Sequence, residues 1–124
     1  MKLPNVVLSI CLIGALAGPA SAGQFDGTWV LTQVGGQPVK TPEPPYFTLH
    51  GHEVSGFDGC VRFSGRIDVP KGIMFSEAPC QQGAVMLPFS LRRLPEALGQ
   101  AWAKNGILHI PAGDGYPASR FTAR

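Results

Sequence analysis

The chain has 124 residues, 44% of them hydrophobic and 15% charged, with 16 Gly, 12 Pro and a formal net charge of +2. That length fits one domain. Frequent Gly and Pro exclude a coiled coil or long helical bundle, and high apolar content with low charge excludes an intrinsically disordered chain. The near-neutral balance favours neither nucleic acid, nor a membrane surface, nor an acidic partner.

The first 22 residues read as an export signal. Lys2 is their only charge, Val6 to Gly18 is a predominantly apolar run of 13 residues with Ser9 its one polar side chain, and Ala20-Ser21-Ala22 follows Pro19. Basic, apolar and small-residue regions in that order make a cleavable secretory signal, with the cut expected after Ala22. The run is too short for a membrane span, which needs about 20 apolar residues. Cys11 follows Ile10 rather than a small residue, so it is not a lipid-attachment cysteine and leaves with the signal. The expected mature chain is Gly23 to Arg124, with nine basic against eight acidic residues once Lys2 is removed, and with no later segment of membrane-spanning length.

Cys60 and Cys80 remain. In an oxidising compartment such a pair usually becomes a disulfide; two free buried thiols or a metal site are the alternatives. Neither cysteine has a CxxC partner, which argues against thiol redox catalysis.

Strand signals dominate the rest. Thr28 to Val34 alternates, with Trp29, Leu31 and Gln33 on one face, and ends at Gly35-Gly36. Lys40 to Pro45 holds three Pro and reads as a loop. Tyr46 to His50 and Glu53 to Phe57 are strands around a Gly51-His52 turn. Cys60 to Val69 is a long half-buried strand: Cys60, Arg62, Ser64, Arg66 and Asp68 face water, and Val61, Phe63, Ile67 and Val69 face inward. Gly65 within it predicts a bulge or tight bend. Pro70-Lys71-Gly72 reverses the chain, and Ile73 to Phe75 runs back alongside. That hairpin returns the chain towards Cys60, which would bring the Cα atoms of Cys60 and Cys80 within the ~6 Å a disulfide needs.

Leu87, Leu91, Leu94 and Leu98 form one helical stripe, predicting a helix from Leu87 to Leu94 that continues raggedly to Leu98, with Pro95 ending or kinking it. Asn105-Gly106 between Ala101–Lys104 and Ile107–Ile110 is a strong hairpin signal, and Ser119 to Thr122 is the last strand. Trp29, Phe47, Phe57, Phe63, Phe75 and Trp102 fall on strands and are expected in the core. The order predicts a single small α+β domain, a curved antiparallel sheet forming a partly closed barrel with one covering helix.

No constellation marks a reaction. His50 and His52 flank a turn residue, and His109 has no neighbouring acids, so no metal site is assigned. No nucleophile elbow surrounds Ser55, Ser64 or Ser90, and no phosphate-cradling loop occurs. Arg62, Arg66, Arg92, Arg93 and Arg120 read as solvated cations rather than a nucleic-acid surface.

The stretch Val54-Ser55-Gly56-Phe57-Asp58-Gly59-Cys60-Val61-Arg62-Phe63-Ser64-Gly65 resembles the central v-x-G-x-x-G-C-N-x-f-x-G of the META domain (HslJ-like, DUF306) family. Trp29-Val30-Leu31 with Gly36-Gln37-Pro38-Val39 resembles that family's opening, Ala78-Pro79-Cys80 stands where it has a second Cys, and Ile107-Leu108-His109-Ile110 resembles its late strand. Val61 replaces the usual Asn, and Ser76-Glu77-Ala78-Pro79-Cys80 replaces the usual T-x-M-A-C. The resemblance implies a small, β-rich envelope or secreted domain without an agreed enzymatic activity, whose relatives are described through stress, antibiotic-tolerance or secretion phenotypes. The expectation is therefore a monomeric, non-enzymatic, periplasmic or secreted protein. It carries no cofactor and no catalytic or metal residues, and a Cys60–Cys80 disulfide. It would act by binding an envelope protein; the alternative is a carrier or sensor of a small apolar, lipid-like ligand held between sheet and helix.

Overall fold

Apolar residues at every second position need one sheet face to bury them, and the chain supplies that face repeatedly. The computed structural model describes residues 23–77 and 79–124. The expected export signal at residues 1–22 and its cleavage site lie outside the described residues, as does Ala78. Nine strands form one antiparallel sheet: β1 (Gly27–Val34), β2 (Gln37–Pro38), β3 (Tyr46–His50), β4 (Glu53–Phe57), β5 (Arg62–Arg66), β6 (Ile73–Phe75), β7 (Trp102–Lys104), β8 (Ile107–Ile110) and β9 (Ser119–Ala123). Their order is β6-β5-β4-β3-β1-β9-β8-β7, with β2 paired to the end of β1.

Register puts the buried side chains on one face. Trp29 pairs with Phe47 and Leu31 with Phe121; Leu49 pairs with Val54 and Leu108 with Phe121. All seven are buried. Phe47 and Phe121 meet edge-to-face at 5.0 Å between ring centres, a favoured aromatic geometry. The buried Trp29 indole donates to the Phe25 carbonyl at 2.9 Å, so its polar end is satisfied. The opposite face is wetter; there the hydroxyls of Thr28 and Thr48 bond at 2.7 Å.

Five expectations need correction. The sheet is not closed: β6 and β7 stand at its two ends and do not pair. The chain between them forms a loop and a helix instead of a closing strand. The helix is shorter and later than the leucine stripe predicts. A 3-10 turn covers Leu91–Arg93 and α1 covers Leu94–Gly99. Pro88 keeps Leu87 out of the helical region, whereas Pro95 sits in the first turn of α1, where a missing N–H costs nothing. Leu87, Leu91, Leu94 and Leu98 are nonetheless all buried and belong to the same core cluster as the sheet residues.

The long strand expected over Cys60 to Val69 shrinks to β5. The Asp58 carboxylate accepts the N–H groups of Cys60 and Val61, each at 2.8 Å, which holds those residues in a turn. At the other end residues 67–69 bend away, and Val69 is 46% exposed rather than inward. Register is also unbroken at Gly65, which pairs with Val54 and Ile73. The register shift falls in β1, between Leu31 and Gln33. Gly65 serves close approach instead: a Cβ there would lie 1.9 Å from the Gly72 carbonyl oxygen.

Finally, Phe75 and Trp102 are each 52% exposed, because both lie on end strands. Trp102 faces outward opposite His109 and stacks on its ring at 4.9 Å.

Candidate binding groove at the open edge of the sheet

β6 pairs only with β5, and its ladder shows which backbone groups are used. The Arg66 N–H donates to the Gly72 carbonyl at 3.0 Å, and the Ser76 N–H to the Arg62 carbonyl at 2.9 Å. Met74 lies opposite Ser64. Antiparallel pairing alternates, so Gly72, Met74 and Ser76 turn their backbone groups towards β5, and Ile73 and Phe75 turn theirs away. Phe75 shares a face with the buried Phe63, at 6.3 Å between ring centres. Its other side has no neighbouring strand, hence its exposure.

Beside this edge runs a groove in two adjoining parts. One, of about 840 Å³, lies between the β5–β6 hairpin and the turn into α1; Val69, Ile73, Phe75, Leu91 and Pro95 give it apolar walls. The other, of about 480 Å³, continues past Phe75 and Leu91 to Met86, Phe89 and Tyr116. Val69, Phe75 and Met86 are three of the five large exposed apolar side chains among the described residues, so apolar exposure concentrates at this groove.

The two ends differ electrically. At the hairpin end Arg66 forks onto Asp68, at 2.9 and 2.7 Å. That hydrogen bonding holds the Asp68 carboxyl below the usual carboxylate range, with His52 Nδ1 also 3.4 Å away. Lys71 and Arg92 line the same end, and among the described residues neither has an ion-pair partner. Lys71 has φ +55, a left-handed conformation that costs a side-chain-bearing residue about 1 kcal/mol. At the far end the charges are committed. Arg93 bonds Glu96 at 2.8 Å and the Asp114 carbonyl, and lies 5.4 Å over the Tyr116 ring. Burial, with Glu96 nearby, pushes the Tyr116 phenol up.

Asp58, Gly59 and Cys60 position the wall that carries Met86. Cys60 and Cys80 are joined in a disulfide with their Cα atoms 4.5 Å apart, within the normal range. The Asp58 carbonyl accepts the Leu87 N–H at 2.9 Å. A Cβ on Gly59 would lie 2.1 Å from the Val85 carbonyl oxygen, and its φ of +107 favours glycine. The segment from Cys80 to Leu87 is thus held at both ends by three successive residues.

The other sequence candidates are scattered. His50 lies 3.9 Å from Asp26 and His52 3.4 Å from Asp68, so the two imidazoles serve different acids. Among the described residues no three His, Cys, Asp or Glu side chains gather as a metal site would require. Arg62 sits over the Phe57 ring and reaches Tyr46 and Glu43, while Arg66 is taken by Asp68. Ser55 and Ser64 face each other across β4 and β5 in exposed positions. The residues that sequence reasoning missed are Val69, Lys71, Phe75 and Met86. Val69 and Phe75 were legible as strand apolars but not as rim positions, since alternation alone does not say which strand is last.

Among the described residues these features define a small β-rich domain: an open antiparallel sheet, one short helix, one disulfide and an apolar groove along the free edge. The chain belongs to the META domain family, whose family model matches residues 22–85, just over half of its length. No curated protein and no solved structure matches it. The match takes in β1 to β6 and the disulfide, and ends one residue before Met86. Among the described residues no helix is long and apolar enough to cross a membrane.

Proposed function

We propose that this META domain is an exported, non-enzymatic accessory protein of the cell envelope, which binds another envelope protein through the groove beside β6. The observation that carries the reading is the concentration of exposed apolar surface, Val69, Phe75 and Met86, along a sheet edge whose outer side is unpaired. Such surfaces mark interaction sites. The basic, apolar and small-residue order of residues 1–22 and the disulfide both support export into an oxidising compartment. The non-enzymatic reading draws on the titratable groups. Among the described residues those with perturbed affinity for protons are Arg66, Asp68 and Tyr116; all three line the groove, but the Arg66–Asp68 ion pair and the burial of Tyr116 account for the shifts.

The test is photo-crosslinking in the native host, from a photoreactive residue at position 69, 75 or 86 and, as a control, at position 104 on β7. Adducts from the groove positions alone are expected, on a protein whose N-terminus is Gly23. Equal adducts from position 104, or none from the groove, refute the groove; an N-terminus at Met1 refutes cleavage.

A second reading, a carrier of a small apolar ligand between sheet and helix, draws on the groove's size of about 840 Å³, within the range of small-molecule sites. It requires co-purification of an acyl compound in native mass spectrometry and its displacement by a Leu91→Trp substitution.

A further inference from the structure

The groove offers more than apolar walls. We propose that it receives an extended segment of a protein partner, added as a strand against the free side of β6. That segment has apolar side chains at alternate positions and an acidic residue beside Lys71 and Arg92. This rests on the groove being the binding site, as argued above.

Three observations fix the occupant's chemistry. The backbone N–H and C=O groups of Ile73 and Phe75 turn away from β5. A lipid tail leaves them unsatisfied, whereas an extended peptide completes the ladder, the recurring mode of strand addition. Side chains of an added strand alternate as those of β6 do. Those level with Ile73 and Phe75 enter the groove towards Leu91, and the intervening ones share the wetter face with Met74 and Ser64. The pattern required is therefore apolar-polar-apolar.

The third observation is charge. The hairpin end is lined by Arg66, Lys71 and Arg92 against one acid, Asp68, with Glu53 acting on Arg66 from the neighbouring strand. With Arg66 and Asp68 bound to each other, Lys71 and Arg92 have no ion-pair partner among the described residues. At the other end Arg93 is already matched by Glu96. An acidic residue is therefore favoured at one end of the segment only, which sets its direction. β6 has three residues, about 10 Å of edge, so the contact is small and its affinity modest, on the order of 10–100 μM.

The test uses synthetic, fluorophore-labelled octapeptides of alternating Val and Thr, with two Asp at either the first or the last positions. Affinity is read by fluorescence anisotropy and the site by amide NMR shifts. One Asp arrangement should bind at least 5-fold tighter than the other, with shifts centred on Ile73 to Phe75. N-methylation of alternate backbone amides on the side facing β6 should weaken it at least 10-fold. Replacing Asp by Lys should weaken it similarly, and Lys71→Gly with Arg92→Gln, two exposed positions, should erase that preference without changing the circular dichroism spectrum. Undiminished binding of the N-methylated peptide, shifts on β7, or no binding by any of the series up to about 1 mM overturns the proposal. So does self-association that broadens the β6 signals as protein concentration rises, which would make a second copy the occupant. Groove crosslinks that persist while N-methylation has no effect retain the groove and reject strand addition; loss of both rejects both.

Discussion

Removing either cysteine should cost about 3 kcal/mol. The bond links residues 20 apart in sequence, and the loop-closure entropy of such a link, released to the unfolded chain, is about 3 kcal/mol at 25 °C. The structure supplies little to offset the loss. Between β6 and the Asp58–Leu87 bond, the clasped segment has a single internal backbone bond among the described residues, Ala84 N–H to the Gln81 carbonyl at 3.3 Å. A domain of this size commonly has 5–15 kcal/mol in all, so a fifth or more of its stability goes, and Tm falls by roughly 10–20 °C. Thermal unfolding by circular dichroism on Cys60→Ser, Cys80→Ser and the double variant reads this directly. The double variant should lose little more than either single one, since each alone breaks the link. The wild type should fall to the same Tm when reductant is added. Two titratable thiols in the unfolded, unreduced protein, or a Tm indifferent to reductant, would refute the argument.

Other substitutions probe the remaining devices. Gly59→Ala should cost about 3 kcal/mol through its φ of +107 and the collision with the Val85 carbonyl; hydrogen exchange at the Leu87 amide should accelerate with it. Phe121→Ala, in the fully buried core, should cost about 3–5 kcal/mol, whereas Trp102→Ala, on an exposed end strand, should cost under about 1 kcal/mol; equal losses in urea unfolding would contradict the assigned faces. Because burial raises the Tyr116 pKa in the folded state, its contribution is complete below the unfolded value of about 10 and is lost as pH rises beyond it. Tyr116→Phe should flatten that alkaline decline. Asp68 has the opposite sign: with its folded pKa lowered by Arg66, its contribution is present above about pH 4 and lost on acidification, and Asp68→Asn should flatten the acid limb.

Much of the sheet is legible in single residues. The Gly51-His52 and Asn105-Gly106 turns fall where the sequence puts them, and β3, β4, β6 and β8 have the expected bounds, because alternation and turn chemistry are both local. The errors share a non-local origin. Nothing local distinguishes Phe75 on an end strand from Phe63 one strand inward, yet burial separates them. The leucine stripe is correct in what it buries and wrong in what it makes helical: four leucines reach the core from an extended segment, a 3-10 turn and α1 in succession. Closure failed for a related reason. Whether two end strands meet depends on what fills the space between them, and here that is the chain from Ser76 to Ala101. The groove was therefore the least legible feature, since Val69, Phe75 and Leu91 come together only in three dimensions.

The residues that carry the family likeness are, in this structure, a clasp rather than a contact surface. Asp58 folds its carboxylate over the next turn and gives its carbonyl to Leu87, Gly59 lets Val85 approach, and Cys60 binds Cys80. Each fixes backbone, and together they set the segment bearing Met86 along one wall of the groove. Val61, where the family usually has Asn, gives its N–H to the Asp58 carboxylate and accepts the Asp58 N–H on its carbonyl, backbone contacts that any residue but proline would make. The opposing surfaces come from outside that stretch. Val69 and Lys71 stand on the hairpin tip, while Met86, Leu91 and Arg92 lie beyond residue 85, where the family match ends. The groove's chemistry is thus shared: the matched part of the chain supplies Val69, Lys71 and the β6 edge with Phe75, and the rest supplies Met86, Leu91 and Arg92. Substitutions at positions 59 and 60 should therefore disturb stability and binding together, whereas those at positions 71 and 92 should alter binding preference and leave the fold intact.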